Sequence, residues 1–296
     1  MLIGLAIPPL AMAARPLLVP ALIVPLTVAL LRLDWRLLHD YARRPVLVTV
    51  VAVWLLFVSP LAVWLVLRGV PLPPALAHAL VLATASSPVT MCATICLIVG
   101  LDAALAVVVV VVTTAIVPLT LPALSLSLLG LDLHIALGTF MARLSWLVGI
   151  PFVAALVVRR LAGTERLARN AQPLDAIAVI GLLIFAIAIM GGITQAAIER
   201  PAAVVATLVA AFASNLALQL LGTAVFWRLG ARRALTIGLM TGNLNMGIIL
   251  VALADKADFD TVMFFALGQL PMYMLPALLA PIYRRAVLAE ELSGQK

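Results

Sequence analysis

Long stretches without a charged side chain limit most strongly what this chain can fold into. Residues 69–101 and 103–131 contain no Asp, Glu, Lys or Arg, and eight further stretches of similar character fill most of the 296-residue chain. A bilayer-spanning helix needs about 20 apolar residues, whereas a transmembrane barrel strand needs about 10 that alternate in polarity. The stretches are too long and too continuously apolar for strands, so we predict an all-α integral membrane protein.

Composition supports this fold class, since 65% of the residues are hydrophobic and 10% are charged, against about half and about a quarter in soluble domains. The net charge of +7 comes mainly from Arg residues between the apolar stretches, where positive charge marks topology and not a nucleic-acid surface. We therefore expect the lipid bilayer as a partner, and no nucleic acid and no cofactor. Cys92 and Cys96 are expected to be packing residues, because two thiols make a poor metal site, so no metal is expected.

The charged residues divide the chain into ten predicted spans. They cover residues 1–14, 16–31, 45–67, 69–101, 103–131, 134–158, 176–198, 201–227, 234–254 and 261–283. The first span is short, since fourteen residues of helix reach about 21 Å and the hydrocarbon core is ~30 Å thick. A nine-span alternative, in which residues 1–14 do not cross, therefore stays open.

Positive charge is distributed unevenly between the predicted connections. The connections after spans 2, 6 and 8, together with the C-terminal tail, carry fourteen of the 19 Arg and Lys residues, the opposite side carries four, and Arg143 lies within span 6. Because Arg and Lys are retained in the cytoplasm, we predict a multi-pass protein of the plasma (inner) membrane with both termini inside. In the nine-span alternative only the N-terminus moves outside. Trp64, Trp227 and Tyr283, near span ends, are expected to be interfacial anchors.

Two predicted spans contain a centre that does not favour a continuous helix. Residues 69–101 would form one helix of ~50 Å, but residues 84–90 contain a proline, which removes a backbone donor, among several hydroxyl side chains. In residues 241–247, two glycines and two asparagines weaken the helix strongly. We therefore predict two broken helices, with structural breaks at Pro88, Gly242 and Gly247.

The two breaks lie at matched positions, each in the fourth span of a five-span half. Inverted repeats with a discontinuous helix in each half are typical of secondary transporters, whose substrate sites form where the broken helices cross. We predict a first repeat over residues 1–131 and a second, inverted repeat over residues 132–296, with the breaks crossing near mid-membrane. The candidate substrate-binding residues are Ser87, Thr90, Thr113, Asn215, Asn243 and Asn245. A bond from Thr113 to its own backbone, and a helix–helix contact by Asn215, remain open.

The residues at these breaks resemble the bile acid:sodium symporter family, ten-helix transporters of bile acids and other organic anions. Ser87-Pro88 resembles the Cys-Pro that opens the family's first helix break. Gly242, Asn245 and Gly247 match the Gly-Met-Gln-Asn-Ser-Gly motif of its ninth helix. Further matches over about residues 16–283 are Leu33-Asp34, Gly100, Ala103-Ala104-Leu105, Pro118 and Pro122. The resemblance implies a divergent, bacterial-type member, with a core of spans 3–5 and 8–10 and a panel of spans 1, 2, 6 and 7.

The sequence departs from this family where the family binds sodium. Ala93-Thr94 replaces a Ser-Asn pair after the first break, Met240 replaces a Glu, and Leu244 replaces a Gln. Na⁺, like other hard cations, prefers oxygen ligands, which Ala, Met and Leu side chains do not offer. The resemblance therefore implies the fold but not the two-sodium site. For a sodium-coupled alternative, the ion ligands are backbone carbonyls with Thr94, Asn243 and Asn245.

We therefore expect a secondary transporter of a small organic anion and not an enzyme. The chain has no P-loop and no nucleophile or metal motif, and half-helix N-termini present a positive field to anions. Facilitated diffusion and proton-linked transport both fit. The alternatives are a sodium-coupled organic-anion symporter and, in another class, a non-transporting receptor or assembly factor on the same fold. The sequence leaves the coupling proton or Na⁺ and the oligomeric state open.

Overall fold

A computed structural model describes residues 1–33, 45–130, 136–253 and 256–293, and the named secondary-structure elements in these ranges are all helical. Seven helical segments are long and apolar enough to cross a membrane: Pro8–Leu31, Pro45–Leu67, Ala103–Leu129, Leu137–Arg169, Ala171–Glu199, Pro201–Val225 and Phe259–Leu292. The prediction of an all-helical, multi-pass membrane protein is therefore confirmed. Asp34 and the predicted junction between the repeats, at residues 131 and 132, lie outside the described residues.

The helices are numbered here in chain order. They are α1 (Leu2–Ala6), α2 (Pro8–Ala14), α3 (Leu18–Leu31), α4 (Pro45–Val53), α5 (Ser59–Leu67), α6 (Pro74–Thr84), α7 (Met91–Val99), α8 (Ala103–Leu129), α9 (Leu137–Arg169), α10 (Ala171–Ala188), α11 (Ile193–Glu199), α12 (Pro201–Val225), α13 (Ala231–Gly242), α14 (Met246–Leu253), α15 (Phe259–Leu267) and α16 (Gln269–Ser293). A π-helical turn, Trp54–Val58, joins α4 to α5. Helix α9 bends at Gly163, where φ is 75°.

The N-terminal part of the chain differs from the sequence expectation. A short 3-10 turn, Arg15–Leu17, joins α2 to α3, so that Pro8–Leu31 forms one continuous helical segment. Both α2 and α3 pack along the same helix, α10. These residues therefore form one candidate spanning segment, as in the nine-span alternative, and the division into ten spans is not confirmed. The physical reason is length, since the seven residues of α2 reach only ~10 Å and need α3 to span the core.

Both predicted helix breaks are present. Helix α6 ends at Thr84 and α7 begins at Met91, while α13 ends at Gly242 and α14 begins at Met246. These four helices are 8 to 12 residues long, so none of them alone spans a ~30 Å hydrocarbon core. Pro88 lies within the first break, and Gly242 is the last residue before the second. Gly247 does not lie at a break, because it is the second residue of α14.

The breaks separate two buried apolar clusters. One cluster contains α6 and α14 residues, such as Leu82 and Ile248, and the other contains α7 and α13 residues, such as Cys96 and Ile237. Cys92 and Cys96 are buried in the second cluster, in agreement with a packing role. Helices at the periphery instead expose apolar side chains, for example Trp146 in α9, as a surface facing lipid requires. The residues at the breaks thus lie in the protein interior, whereas the outer face of α7 is exposed at Leu97 and Ile98.

Candidate functional site

Two main-chain hydrogen bonds join the helix breaks to each other. The Val89 amide donates to the Asn243 carbonyl over 2.9 Å, and the Asn245 amide donates to the Ser87 carbonyl over 2.8 Å. Exchanging the two chain segments returns the same pattern of donors and acceptors, so the pairing has local two-fold character. The two breaks therefore meet in space, as the sequence predicted.

Pro88 occupies the centre of this pairing, opposite Leu244, in an isolated antiparallel bridge. In an antiparallel pair, residues that exchange hydrogen bonds alternate with residues that do not. Pro88 and Leu244 are in the second class, because the bonds come from their neighbours. The missing N–H of proline therefore costs nothing here, and proline keeps the preceding Ser87 away from helical backbone angles.

The first break is stabilised by hydroxyl groups of its own surroundings. Ser86 Oγ donates to the Ala83 carbonyl at the end of α6, over 2.8 Å. Thr114 Oγ1 of α8 donates to Ser87 Oγ over 3.1 Å, and both residues are buried. Thr113 instead donates to a carbonyl one turn earlier in its own helix, over 2.7 Å. Of the two adjacent threonines, Thr114 therefore reaches the break and Thr113 does not.

The second break carries two amide side chains with different roles. Asn245 Oδ1 accepts from the Ile248 amide over 3.4 Å, at the first turn of α14, which is the position of a helix cap. Asn243 Nδ2 donates to the Leu239 carbonyl over 2.8 Å. Asn243 is 0% exposed, and its Oδ1 has no hydrogen-bond partner among the residues that the structure describes. The break therefore has one buried acceptor oxygen that is left unpaired.

A chain of buried side chains supports the second break from the C-terminal helix. Tyr283 OH donates to Gln219 Oε1 over 2.5 Å, Gln219 Nε2 donates to Asn215 Oδ1 over 2.6 Å, and Asn215 Nδ2 donates to the Gly242 carbonyl over 2.8 Å. The last bond satisfies a carbonyl at the end of α13 that has no helical partner. Asn215 therefore makes the helix–helix contact that the sequence left open. The position of Tyr283 near a span end did not reveal this contact.

Trp54 provides a second external contact to α13. Its Nε1 donates to Thr241 Oγ1 over 3.0 Å, and its ring lies edge-on to Phe226, with 5.7 Å between the ring centroids. Trp54 begins the π-helical turn of the α4–α5 segment, and such turns are frequent at functional sites. The last turn of α13 is therefore held by α12 on one side and by the π-helical turn on another.

A narrow cleft with a volume of about 50 Å³ lies beside the crossing, between α3, α10 and the two breaks. Thr90 and Asn245 line it, so two of the six predicted substrate residues meet there. The other lining residues that matter here are Leu22, Phe185, Leu244, Gly247, Gln269 and Tyr273. The remaining predicted residues, Ser87, Thr113, Asn215 and Asn243, are buried away from this lining. Sequence reasoning did not select Gln269, which is buried in α16.

The electrostatic character of the cleft comes from helix ends. Its lining contains no Asp, Glu, Lys or Arg among the described residues. Thr90 directly precedes α7, and Met246 and Gly247 begin α14. The Cys92, Ala93, Met246 and Ile248 amides at these ends already have acceptors, but the helix dipole still places about half a positive charge at a helix N-terminus. Two such ends therefore face one small cavity, an arrangement that favours an anionic group.

The model of the sodium bile acid symporter family matches residues 19–200, which is more than half of the chain. The chain belongs to this family. A comparison with curated proteins gave no match. The matched region contains the first break and the α3 and α10 walls of the cleft, and it ends before the second break. Membership in the sodium bile acid symporter family and the apolar helices support a transport function in the membrane.

The positions that correspond by resemblance to the family's sodium ligands are apolar or turned away from the crossing. Met240 is fully buried in the apolar cluster of α7 and α13, and Leu244 faces Pro88. Thr94 is exposed on α7 and is not part of the cleft lining. In this member of the sodium bile acid symporter family, these side chains therefore do not converge on one site.

Proposed function

We propose that this protein is a secondary transporter of a small organic anion, and that it does not use the two-sodium site of its family. The observation that carries the proposal is the uncharged cleft at the crossing, which receives the N-terminal ends of α7 and α14. Thr90 and Asn245 offer a hydroxyl and an amide to a polar substrate group. A fixed positive field without a carboxylate favours anions over cations.

The size of the cleft supports a small substrate. A volume of about 50 Å³ is far below the ~300–1,000 Å³ of pockets that hold drug-sized ligands. A compact carboxylate fits such a space more readily than a steroid skeleton. Access from either side of the membrane then needs a movement of α3 and α10 relative to the broken helices, as in alternating access.

For the topology, we propose nine crossings with the C-terminus inside and the N-terminus outside. This is the alternative that keeps every Arg-rich connection in the cytoplasm while Pro8–Leu31 crosses once. In this arrangement, the first repeat has four spans, from Pro8–Leu31 to Ala103–Leu129, and includes the broken helix α6–α7. The second, inverted repeat has four spans, from Ala171–Glu199 to Phe259–Leu292, and includes the broken helix α13–α14. Helix α9 (Leu137–Arg169) lies between the two repeats. The two-fold pattern of main-chain bonds at the breaks supports the inverted repeat.

One observation favours the sodium-coupled alternative, namely the unpaired Oδ1 of buried Asn243. Against this, the Asn243 carbonyl already accepts from Val89, and Asn245 Oδ1 accepts from the Ile248 amide. A dehydrated Na⁺ needs near-complete replacement of its water by oxygens. One neutral oxygen supports a water molecule better than a cation.

The coupling ion is tested with purified protein and a panel of small organic anions. Thermal shifts identify a ligand, because binding to the folded state raises its stability. Replacing Na⁺ by K⁺ or choline is expected to change the dissociation constant less than about twofold, or ~0.4 kcal/mol. A steep, saturable dependence on Na⁺ contradicts the proposal and supports the symporter. Binding without saturable uptake in proteoliposomes supports the receptor alternative.

The role of Asn245 is tested with two variants. Asn245→Ala is expected to weaken anion binding by about 1–3 kcal/mol, because the substrate loses a buried partner. Asn245→Asp keeps an N-cap side chain for α14 and adds a negative charge beside the anion. It is expected to lose binding while the unfolding temperature stays close to that of the wild type. Asn170→Ala, at the exposed end of α9, is the matched control. Full binding by Asn245→Asp excludes an anion at this position.

A further inference from the structure

Phe185 of α10 packs directly on Gly247 of α14, where the two sides of the cleft meet. A Cβ atom at Gly247 would lie 2.7 Å from Phe185 Cζ and 3.4 Å from Leu22 Cδ1. The first of these distances is shorter than a van der Waals contact between two carbon atoms. The aromatic ring therefore occupies the space that a side chain at position 247 would need. Phe185 is 6% exposed, and both residues belong to the cleft lining.

The helix that carries Phe185 is joined more closely to α3 than to the broken helices. A Cβ atom at Gly181 of α10 would lie 2.9 Å from Pro25 Cγ of α3, so the two backbones approach closely. Asp175 near the start of α10 forms an ion pair with Arg32 at the end of α3. Helices α3 and α10 also pack along much of their lengths. Leu22 and Phe185 are thus two side chains of one helix pair, and Gly247 belongs to the opposing side.

We propose that Phe185 is the residue that limits the size of substrate the cleft admits, with its ring seated on Gly247 as the closing element. This inference rests on the proposed transport function, since it assigns a role within the same cleft. Any movement of the α3–α10 pair away from α14 lifts the ring from Gly247 and opens the cleft. A ring in this place excludes bulky groups sterically, while it leaves the polar groups of Thr90 and Asn245 available to a compact one.

The first experiment measures access to the cleft without using a substrate. In a protein with Cys92→Ala and Cys96→Ala, a single Thr90→Cys thiol reacts with methanethiosulfonates that carry a methyl or a benzyl group. Phe185→Ala is expected to raise the benzyl rate relative to the methyl rate by about tenfold or more, the range over which small size differences are distinguished in apolar pockets. Phe185→Trp is expected to lower the same ratio.

A matched control separates a size limit from a general loosening of the protein. Phe140→Ala removes another buried ring, from α9, and Phe140 is not part of the cleft lining. It is expected to leave the ratio of the two rates unchanged. If Phe185→Ala does not fold, Phe185→Leu tests the same point with a smaller loss of volume. Equal ratios in the wild type, the folded Phe185 variant and the Phe140 control would overturn the proposal.

A second experiment tests the contact itself. Gly247→Ala places a methyl group where the ring lies, so it is expected to change the benzyl-to-methyl ratio by displacing Phe185. In the double variant Gly247→Ala, Phe185→Leu, the leucine leaves room for the methyl group, and the effects are expected to be non-additive, as for residues in contact. Additive effects would show that Phe185 does not act through Gly247, and would overturn the closing role.

The ratio of thiol reaction rates and the uptake of anions test the size limit and the transport function separately. A changed thiol ratio in a protein that shows no saturable anion uptake supports the size limit and contradicts transport. Saturable uptake with an unchanged thiol ratio supports transport and overturns the role of Phe185. When both hold, uptake of a carboxylate series from acetate to benzoate is expected to extend to larger members in Phe185→Ala.

Discussion

The two helix breaks solve the same problem by different means. At the first break, hydroxyl side chains within or beside the interrupted segment satisfy the exposed backbone and each other, as Ser86, Ser87 and Thr114 show. At the second break, the Gly242 carbonyl receives its hydrogen bond from Asn215 in another helix, which is held in turn by Gln219 and Tyr283. Each break therefore receives one side-chain hydrogen bond from another helix, but only at the second break does the bonding side chain belong to a buried chain of three that reaches the C-terminal helix.

The difference extends to packing. The first break contains a proline at its centre, which prevents a helix from continuing through it. The second is bounded by a glycine in a close helix–helix seam, where Cβ atoms at Gly222, Gly238 or Gly242 would lie 2.6 Å or less from atoms of the facing helix. Because protein interiors are close-packed, the second break is expected to be the more sensitive to substitution. Four substitutions test this ranking.

The largest effect is expected for Gly242→Ala. The added methyl group meets Gln219 Cγ at 2.5 Å and the Asn215 carbonyl at 2.6 Å, and a backbone oxygen does not move aside easily. We expect a loss of about 3 kcal/mol in the free energy of unfolding, at the upper end of overpacking effects. Reversible unfolding in mixed micelles measures it. Gly149→Ala, where a Cβ meets no atom within 4 Å, is the control. An equally stable Gly242→Ala would remove the basis of the comparison.

Asn215→Ala is expected to have the next largest effect. It leaves the Gly242 carbonyl and Gln219 Nε2 without their partners, at a cost of about 1–3 kcal/mol for buried polar groups. The adjacent Ser214→Ala removes only a bond to the Ala211 carbonyl, one turn away in the same helix, and serves as the control in the same unfolding measurement. Equal stability of the two variants would mean that the external support of the second break is dispensable.

Ser87→Ala tests the first break and is expected to have a smaller effect. Thr114 Oγ1 loses its acceptor, so one buried group is left unpaired instead of two, at about 1 kcal/mol, the lower end of the range for such groups. Ser127→Ala, which affects a bond within α8 on an exposed face, gives the baseline. If Ser87→Ala destabilises more than Asn215→Ala, the ranking of the two breaks is reversed.

The smallest effect on stability is expected for Pro88→Ala. Both main-chain bonds of the crossing are made by residues other than Pro88, so they persist in the variant. Loss of the proline ring acts mainly through the unfolded chain, at about 0.4–1 kcal/mol. Membrane insertion and the pattern of slow amide exchange at Val89 and Asn245 are expected to be retained. Rapid exchange at these two amides would show that the proline itself maintains the pairing.

The sequence predicts the location of both breaks because proline and glycine act on the backbone at their own position. It does not predict which hydroxyl reaches the first break. Thr113 and Thr114 are neighbours on a helix, where consecutive side chains point about 100° apart, and the choice depends on how α8 packs against Ser87. The ten-span division places a boundary at Arg15, within the first helical segment. A single charged residue does not end a helix there, because both parts of the segment pack on α10.

The candidate site is predicted less completely than the fold. Thr90 and Asn245 line the cleft, whereas Asn215 supports a helix end instead. A polar side chain in an apolar helix satisfies either role, and sequence alone does not distinguish them. Two further contacts join helices that are distant along the chain. They are the hydrogen bond between Tyr283 and Gln219 and the packing of Phe185 on Gly247. Such contacts have no local signal in the sequence.

The two breaks are joined by hydrogen bonds between peptide groups, and every amino acid other than proline supplies both a backbone N–H and a backbone carbonyl. The side chains of residues 87, 89, 243 and 245 can therefore be exchanged for others without loss of the two main-chain hydrogen bonds. Met240 and Leu244, which differ from the residues that the family resemblance implies, likewise take no part through their side chains in these two bonds. The contact between the breaks is thus maintained by the shape of the backbone and not by the identity of the side chains.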